Sequence, residues 1–295
     1  ENNNLKVIGF DSQVNNTSQF VEDFFEYCEN QNIILKLDED DFGIVIEGVL
    51  ENVTVEEDDI KYKVFEKELY RIIEQLEKLE DNNANYYWKQ FIKSLLACSQ
   101  DAYYNKEEIF TTDFGNKNDN IRDKQMADNL LSYINRNPTE KVICWADNVH
   151  IINNNSSIKK PIAKEFISMG FYINKELKDK SYSLATIHAN DSLFDFGTKK
   201  WHLTPIKNNS FEYELSKINK PYLFVSSNQE GMKLTKTTRL LNFIDFTEAR
   251  LDQLHNGYIF LKNAILPKQE TLKDSISTSK NQLDLGKKIA QIEKG

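Results

Sequence analysis

Six short apolar runs constrain the fold: LKVIGF (5–10), KVICWA (141–146), SYSLATIH (181–188), YLFVS (222–226), LNFIDF (241–246) and GYIFL (257–261). They are close to continuous rather than alternating, and rich in Val, Ile, Phe and Tyr. A strand facing water on one side alternates apolar with polar, whereas a strand covered on both faces does not. These runs therefore predict a mostly parallel sheet flanked by helices, an α/β architecture, with helical segments in the intervals.

One interval breaks that rhythm. Between about 57 and 137, Phe65, Leu69, Ile72, Leu76 and Leu79 recur at steps of three and four, the apolar stripe of a helix of about six turns. The polar DNNAN (81–85) makes a turn, and Trp88, Phe91, Ile92, Leu95 and Leu96 write a second stripe. The pair reads as an antiparallel helical hairpin, with Tyr86, Tyr87 and Trp88 as core anchors. FTTDFGNKNDN (110–120) is a loop by composition. A third helix runs from Asn120 toward Pro138, whose ring stops it. The acidic EDD (57–59) fits a helix N-terminus. The whole stretch is read as a helical-hairpin insertion beside the sheet.

Charge and cysteine usage exclude several functions. A net charge of −9 leaves no basic surplus for phosphates, so nucleic acid is not an expected partner. No apolar stretch approaches the ~20 residues of a membrane helix, and no membrane partner is expected. Cys28, Cys98 and Cys144 are isolated, neither a disulfide framework nor a zinc pattern, and Cys28 and Cys144 read as buried core residues. The start at Glu1, the first residue of a polar ENNN, looks trimmed, so the compartment is not legible beyond a cytoplasmic default, and neither is the oligomeric state.

Chemistry-bearing residues gather at strand ends. In an open parallel sheet ligands bind beyond the carboxyl ends of the strands, where the loops diverge. KVICWA runs into Asp147, Asn148 and His150; LKVIGF runs into Asp11, Ser12 and Gln13; SYSLATI delivers His188, then Asn190 and Asp191. Carboxylates, amides and imidazoles converging there suit a general base or a metal ligand. The alternative is structural: Asp and Asn also favour caps and turns, and a histidine can be a satisfied core residue. In the third helix Arg122, Met126 and Asn129 fall on one line at the border of the buried face. Arg122 there either closes a structural salt bridge or reaches into the crevice to hold a substrate carbonyl or an acidic residue. A zinc or manganese site from Asp11, Asp147, His150 and His188 is a further alternative that spacing does not test.

In order along the chain, IGFDSQ (8–13), RDKQMADNL (122–130), WADNVHI (145–151), SMG (168–170), NSFEYEL (209–215) and FIDFTEARLDQLHNGYIFLKNA (243–264) resemble the erythromycin esterase family. The resemblance implies one α/β domain over 1–266, followed by a polar tail over 267–295. It also implies hydrolysis of an ester or macrolide lactone of a small molecule by histidine-assisted water attack, with no cofactor and no resident metal, in a bacterial antibiotic-resistance setting. His150 matches the second histidine of the family's W-A-H-N-x-H motif, and Asp147 stands where the first would be. The implied catalytic residues are His150, Asp147 and Arg122, with Asp11, Asn148, Asn129 and His188 toward substrate. The family's early G-E-x-x-H-G motif, carrying its base, has no counterpart among these 295 residues, and the resemblance implies that it lies upstream. The alternative is a non-catalytic relative that binds a small molecule in the same cleft.

Overall fold

The computed structural model describes residues 6–12, 18–50, 59–104, 120–160, 166–195, 200–243 and 245–264. The loop at 110–119, most of EDD and the tail from 267 lie outside them.

The N-terminal half is helical. α1 (Ser18–Asn30), α2 (Glu39–Leu50), α3 (Asp59–Leu76) and α4 (Asn83–Tyr104) close around one core containing Phe24, Phe42, Phe65, Leu69, Ile72, Ile92 and Leu95. Local signals set the helix starts. Asp38 Oδ1 accepts the Asp41 N–H ahead of α2, and Asn82 Oδ1 accepts the Asn85 N–H at the head of α4. The expected hairpin is α3 with α4, and Trp88 does pack into this core, against Phe24 and Tyr27, while Tyr87 stays exposed. The helical unit is larger than an insertion, however, because α1 and α2 complete it: Tyr27 Oη donates to Asn85 Oδ1, and the Lys36 N–H donates to the buried Glu68. α5 (Asn120–Arg136) follows α4 and stops two residues before Pro138, as its sequence predicts.

The sheets are small and mixed, which corrects the mostly parallel sheet. β1 (Leu184–His188) runs parallel to β7 (Gly257–Leu261), with β4 (Tyr222–Ser226) antiparallel on the other side of β7. β2 (Ser192–Asp195) pairs with β3 (Lys200–Leu203), and β5 (Thr235–Thr238) with β6 (Thr247–Arg250), both antiparallel. The second core, with Ala185, Ile187, Val225, Leu240, Leu251, Tyr258 and Phe260, lies against one face of the three-stranded sheet. On the other face Leu184 and Phe224 converge over Gly257. A Cβ there would lie 2.7 Å from the Tyr182 hydroxyl oxygen, so a side chain at 257 would push the Tyr182 tip aside.

Three of the six expected strands form. Leu241–Phe246 instead contains a turn: Asn242 Oδ1 accepts the Asp245 N–H, and Phe243 adopts φ 60°. Residues 6–10 and 141–146 belong to no ladder among the described residues. One side of each is seated, because Phe10, Cys144 and Ala146 pack on Met126 and Ala127 of α5 and on Met169 of α6 (Met169–Leu177). Their other side is bare: Val7, Ile143 and Trp145 are 88%, 94% and 90% exposed. Cys28 is buried and Cys144 partly so, and burial pushes the Cys28 thiol up to about 12 and that of Cys144 up to about 11, leaving both protonated. Among the described residues no helix is long and apolar enough to cross a membrane.

Candidate active site

The N-terminal turn of α5 gathers both chain tips that the sequence singles out. Arg122 Nε donates to Asp11 Oδ1 at 3.1 Å and Nη2 to Oδ2 at 2.6 Å, a bidentate pair. Burial opposes the Arg122 charge, but the bonds and charge of Asp11, with Asp123 and Asp101 nearby, outweigh it and raise the guanidinium pKa. One residue on, Asp123 meets the other tip: His150 Nδ1 lies 2.9 Å from both of its carboxylate oxygens. Two successive residues of one helix thus hold Asp11 and His150.

The His150–Asp123 pair is partly sheltered, with side chains 19% and 2% exposed. Asp123 Oδ1 also accepts the Met169 N–H at 2.7 Å, at the start of α6. A carboxylate is acceptor only, so its position assigns the ring proton to Nδ1. Nε2 then carries the lone pair. It makes no hydrogen bond to the described protein and is not sealed from solvent. An imidazole tied at one nitrogen and open at the other can take a proton from water or hold a carbonyl-directed nucleophile.

The remaining candidates surround this pair in other ways. Asp147 caps the 3₁₀ turn Asn148–Ile151, its Oδ1 accepting the Val149 N–H at 3.3 Å, so its carboxylate orients the loop rather than the His150 ring. Asn148 is buried. Its Nδ2 donates to Thr186 O at 2.8 Å and Leu240 O at 3.2 Å, while Oδ1 accepts the Thr186 N–H at 3.1 Å. The side chain stands in for a neighbouring strand along β1. Asn129 Nδ2 donates to Phe10 O and Ser94 Oγ, which fixes the tip before Asp11. His188 lies apart: its ring stacks on Phe243 at 4.8 Å, Nδ1 accepts the Asn190 N–H, and burial, with Arg239 nearby, lowers its pKa to about 4. His188 is therefore neutral near pH 7 and engaged in a turn. Among the described residues no three His, Cys, Asp or Glu side chains group as a metal site, and Asp11, Asp147, His150 and His188 each have the separate partners above.

Asp123 is the candidate residue that the strand-end reading misses. It sits about 100° around α5 from Arg122, heading a stripe of buried residues, Met126, Ala127 and Leu130. A carboxylate on a buried stripe in the first helical turn was the available signal, since burying it requires partners.

The family model for erythromycin esterase matches residues 1–269. Among solved structures, a mutant of the erythromycin esterase EreC in its open conformation superimposes with a TM-score of 0.61 at 14% identity, over 88% of this chain and 70% of that one. At that identity the likeness is one of fold. No curated protein matches the sequence.

Proposed function

The chain belongs to the erythromycin esterase family, and from that premise we propose that it is a hydrolase that opens an ester or lactone of a small molecule, macrolide-like in class. The observation that carries the proposal is the partly exposed His150 ring, whose Nδ1 is fixed by Asp123 and whose Nε2 has no hydrogen-bond partner among the described residues. In this reading Nε2, rather than the upstream base that the resemblance implies, takes a proton from water as the water oxygen bonds to the carbonyl carbon. Arg122 stabilises the charge gathering on the carbonyl oxygen, and Asp11 holds Arg122 in place. Collapse breaks the bond to the alcohol oxygen, which takes the proton from His150. The products are an alcohol and a carboxylic acid, which releases its proton to solvent to become the carboxylate. Asn129 positions the Asp11 tip, while Asp147 and Asn148 position the His150 loop; His188 braces the end of β1. A bacterial role in macrolide resistance follows if the substrate is a macrolide.

The test is incubation of the protein with macrolides and with simpler lactones and esters, read by mass spectrometry for the gain of one water. Hydrolysis that is lost in His150→Ala supports the proposal, and hydrolysis that persists there refutes it. A second reading draws on Asp147, which replaces one of two motif imidazoles with a carboxylate that serves as a cap: a relative that binds such molecules without cleaving them. Thermal stabilisation by a macrolide without any hydrolysed product favours this second reading.

A further inference from the structure

The proposed chemistry requires His150 to present an unprotonated Nε2, and free imidazole in water favours the opposite tautomer, with the proton on Nε2. Asp147 neighbours His150 in sequence, but its carboxylate is spent on the Val149 N–H. The SMG segment, 168–170, plays no direct part in the chemistry above, yet it surrounds the pair. Ser168 caps α6, its Oγ accepting the Phe171 N–H at 3.2 Å and donating to Ile152 O at 2.6 Å. The Met169 N–H binds Asp123 Oδ1. At Gly170 a Cβ would lie against the Ile151 carbonyl carbon and 2.7 Å from the carbonyl oxygens of both Ile151 and Ile152, so α6 comes this close to the histidine loop only because residue 170 has no side chain.

We propose that Asp123 and the Ser168–Met169–Gly170 turn form a positioning device that sets the tautomer of His150, with Asp123 as the positioning residue and the turn as its seat. This deepens the hydrolase reading and rests on it for the use of the free Nε2, but the device itself is defined without any substrate. Three contacts act together. Gly170 and Ser168 hold the loop against α6, the Met169 N–H claims Asp123 Oδ1, and the carboxylate so fixed accepts the proton of Nδ1. The arrangement makes Asp123→Asn an informative change. Met169 continues to donate to the amide oxygen, so the amide nitrogen turns toward His150. Nδ1 then faces a donor where Oδ2 stood, which competes with the retained amide oxygen beside the same ring nitrogen, so the ring proton shifts toward Nε2.

The experiment is nitrogen-15 NMR of the full chain with labelled histidine, with pH raised until the His150 signals stop moving, and with His150 assigned by its loss in His150→Gln. The wild type is expected to show the proton on Nδ1, and a proton on Nε2 overturns the proposal before any variant is made. Asp123→Asn is expected to raise the Nε2-protonated fraction, whereas Asp147→Asn leaves it unchanged; a shift in the second variant or none in the first overturns the assignment. Gly170→Ala is expected to lower the Nδ1-protonated fraction by separating the loop from α6, and an unchanged spectrum removes the turn from the device. Where turnover is measurable, Asp123→Asn lowers kcat on the order of 100-fold or more with KM little changed. A wild-type Nδ1 tautomer without turnover upholds the positioning device while refuting the hydrolase, so the two failures are distinguishable.

Discussion

Replacing Asn148 with alanine tests how the histidine loop is attached to the sheet. The Asn148 amide makes three bonds to main chain: it donates to Thr186 O and Leu240 O and accepts the Thr186 N–H. Leu240 is fully buried, whereas Thr186 is on the wetter side of β1. An orphaned buried polar group costs about 1–3 kcal/mol, and water relieves the cost at Thr186, so the three losses together are expected near 2–4 kcal/mol. That is a large share of the roughly 5–15 kcal/mol that holds a domain folded. At about 2–4 °C per kcal/mol for a chain of this class, the midpoint should fall by roughly 5–15 °C. The assay is urea unfolding followed by far-ultraviolet circular dichroism, with the midpoint compared at unchanged m-value. Asn148→Asp provides a comparison: it keeps the acceptor for Thr186 N–H but sets a carboxylate against two carbonyls, and should be at least as destabilising. A change within about 0.5 kcal/mol for the alanine variant would show that the amide is not the fastening described.

Acid should weaken the fold before carboxylates titrate. Burial lowers the pKa of His188 to about 4 and that of the fully buried His255 to about 3, against 6.5 in the unfolded chain. The unfolded state therefore takes up protons first, and stability is lost as pH falls from about 6.5 toward these values; urea midpoints between neutral pH and pH about 5 should decline, with a shallower decline in His188→Gln. Arg239 is fully buried, its Nη1 donating to Thr204 Oγ1 and Nη2 to the His188 and Asn190 carbonyl oxygens. Arg239→Met should cost about 3–5 kcal/mol, read as loss of cooperative thermal melting or of soluble yield; the buried Glu212 carboxylate, which accepts the Arg239 main-chain N–H and whose charge favours the guanidinium, then lacks a compensating cation, so adding Glu212→Gln should recover part of the loss. Arg122→Gln should leave the melting temperature within a few degrees, because the partly exposed pair with Asp11 adds only about 1 kcal/mol, while lowering ester turnover; equal turnover would remove Arg122 from the chemistry.

The helices were the most legible part of this sequence, because an apolar period of three and four over Phe65–Leu76 or Trp88–Leu96 has one economical burial. Strands were less so. An apolar hexamer marks extended chain, yet pairing depends on what lies alongside: residues 141–146 seat Cys144 and Ala146 on α5 and α6 but join no described ladder. In LNFIDF the apolar residues outvoted Asn242 and Asp245, whose turn chemistry decided the outcome. The two extra helices α1 and α2 and the small antiparallel pairs left weaker patterns. At the candidate site, strand-end logic and helical periodicity single out Asp11, His150 and Arg122, which meet the first turn of α5, Asp11 on Arg122 and His150 beside Asp123. Asp123 was hidden because its partner is on a loop 27 residues away, a proximity created only by the packing of α5 and α6.

The most direct measurement is hydrolysis of a macrolide lactone, followed by mass spectrometry, for the wild type beside His150→Ala. A base at the end of a fixed imidazole contributes on the order of 100-fold to 10,000-fold, so the account predicts a water-adduct product from the wild type and a rate reduced by at least the lower figure in the variant. A folded His150→Ala protein that hydrolyses the lactone at the wild-type rate would contradict it.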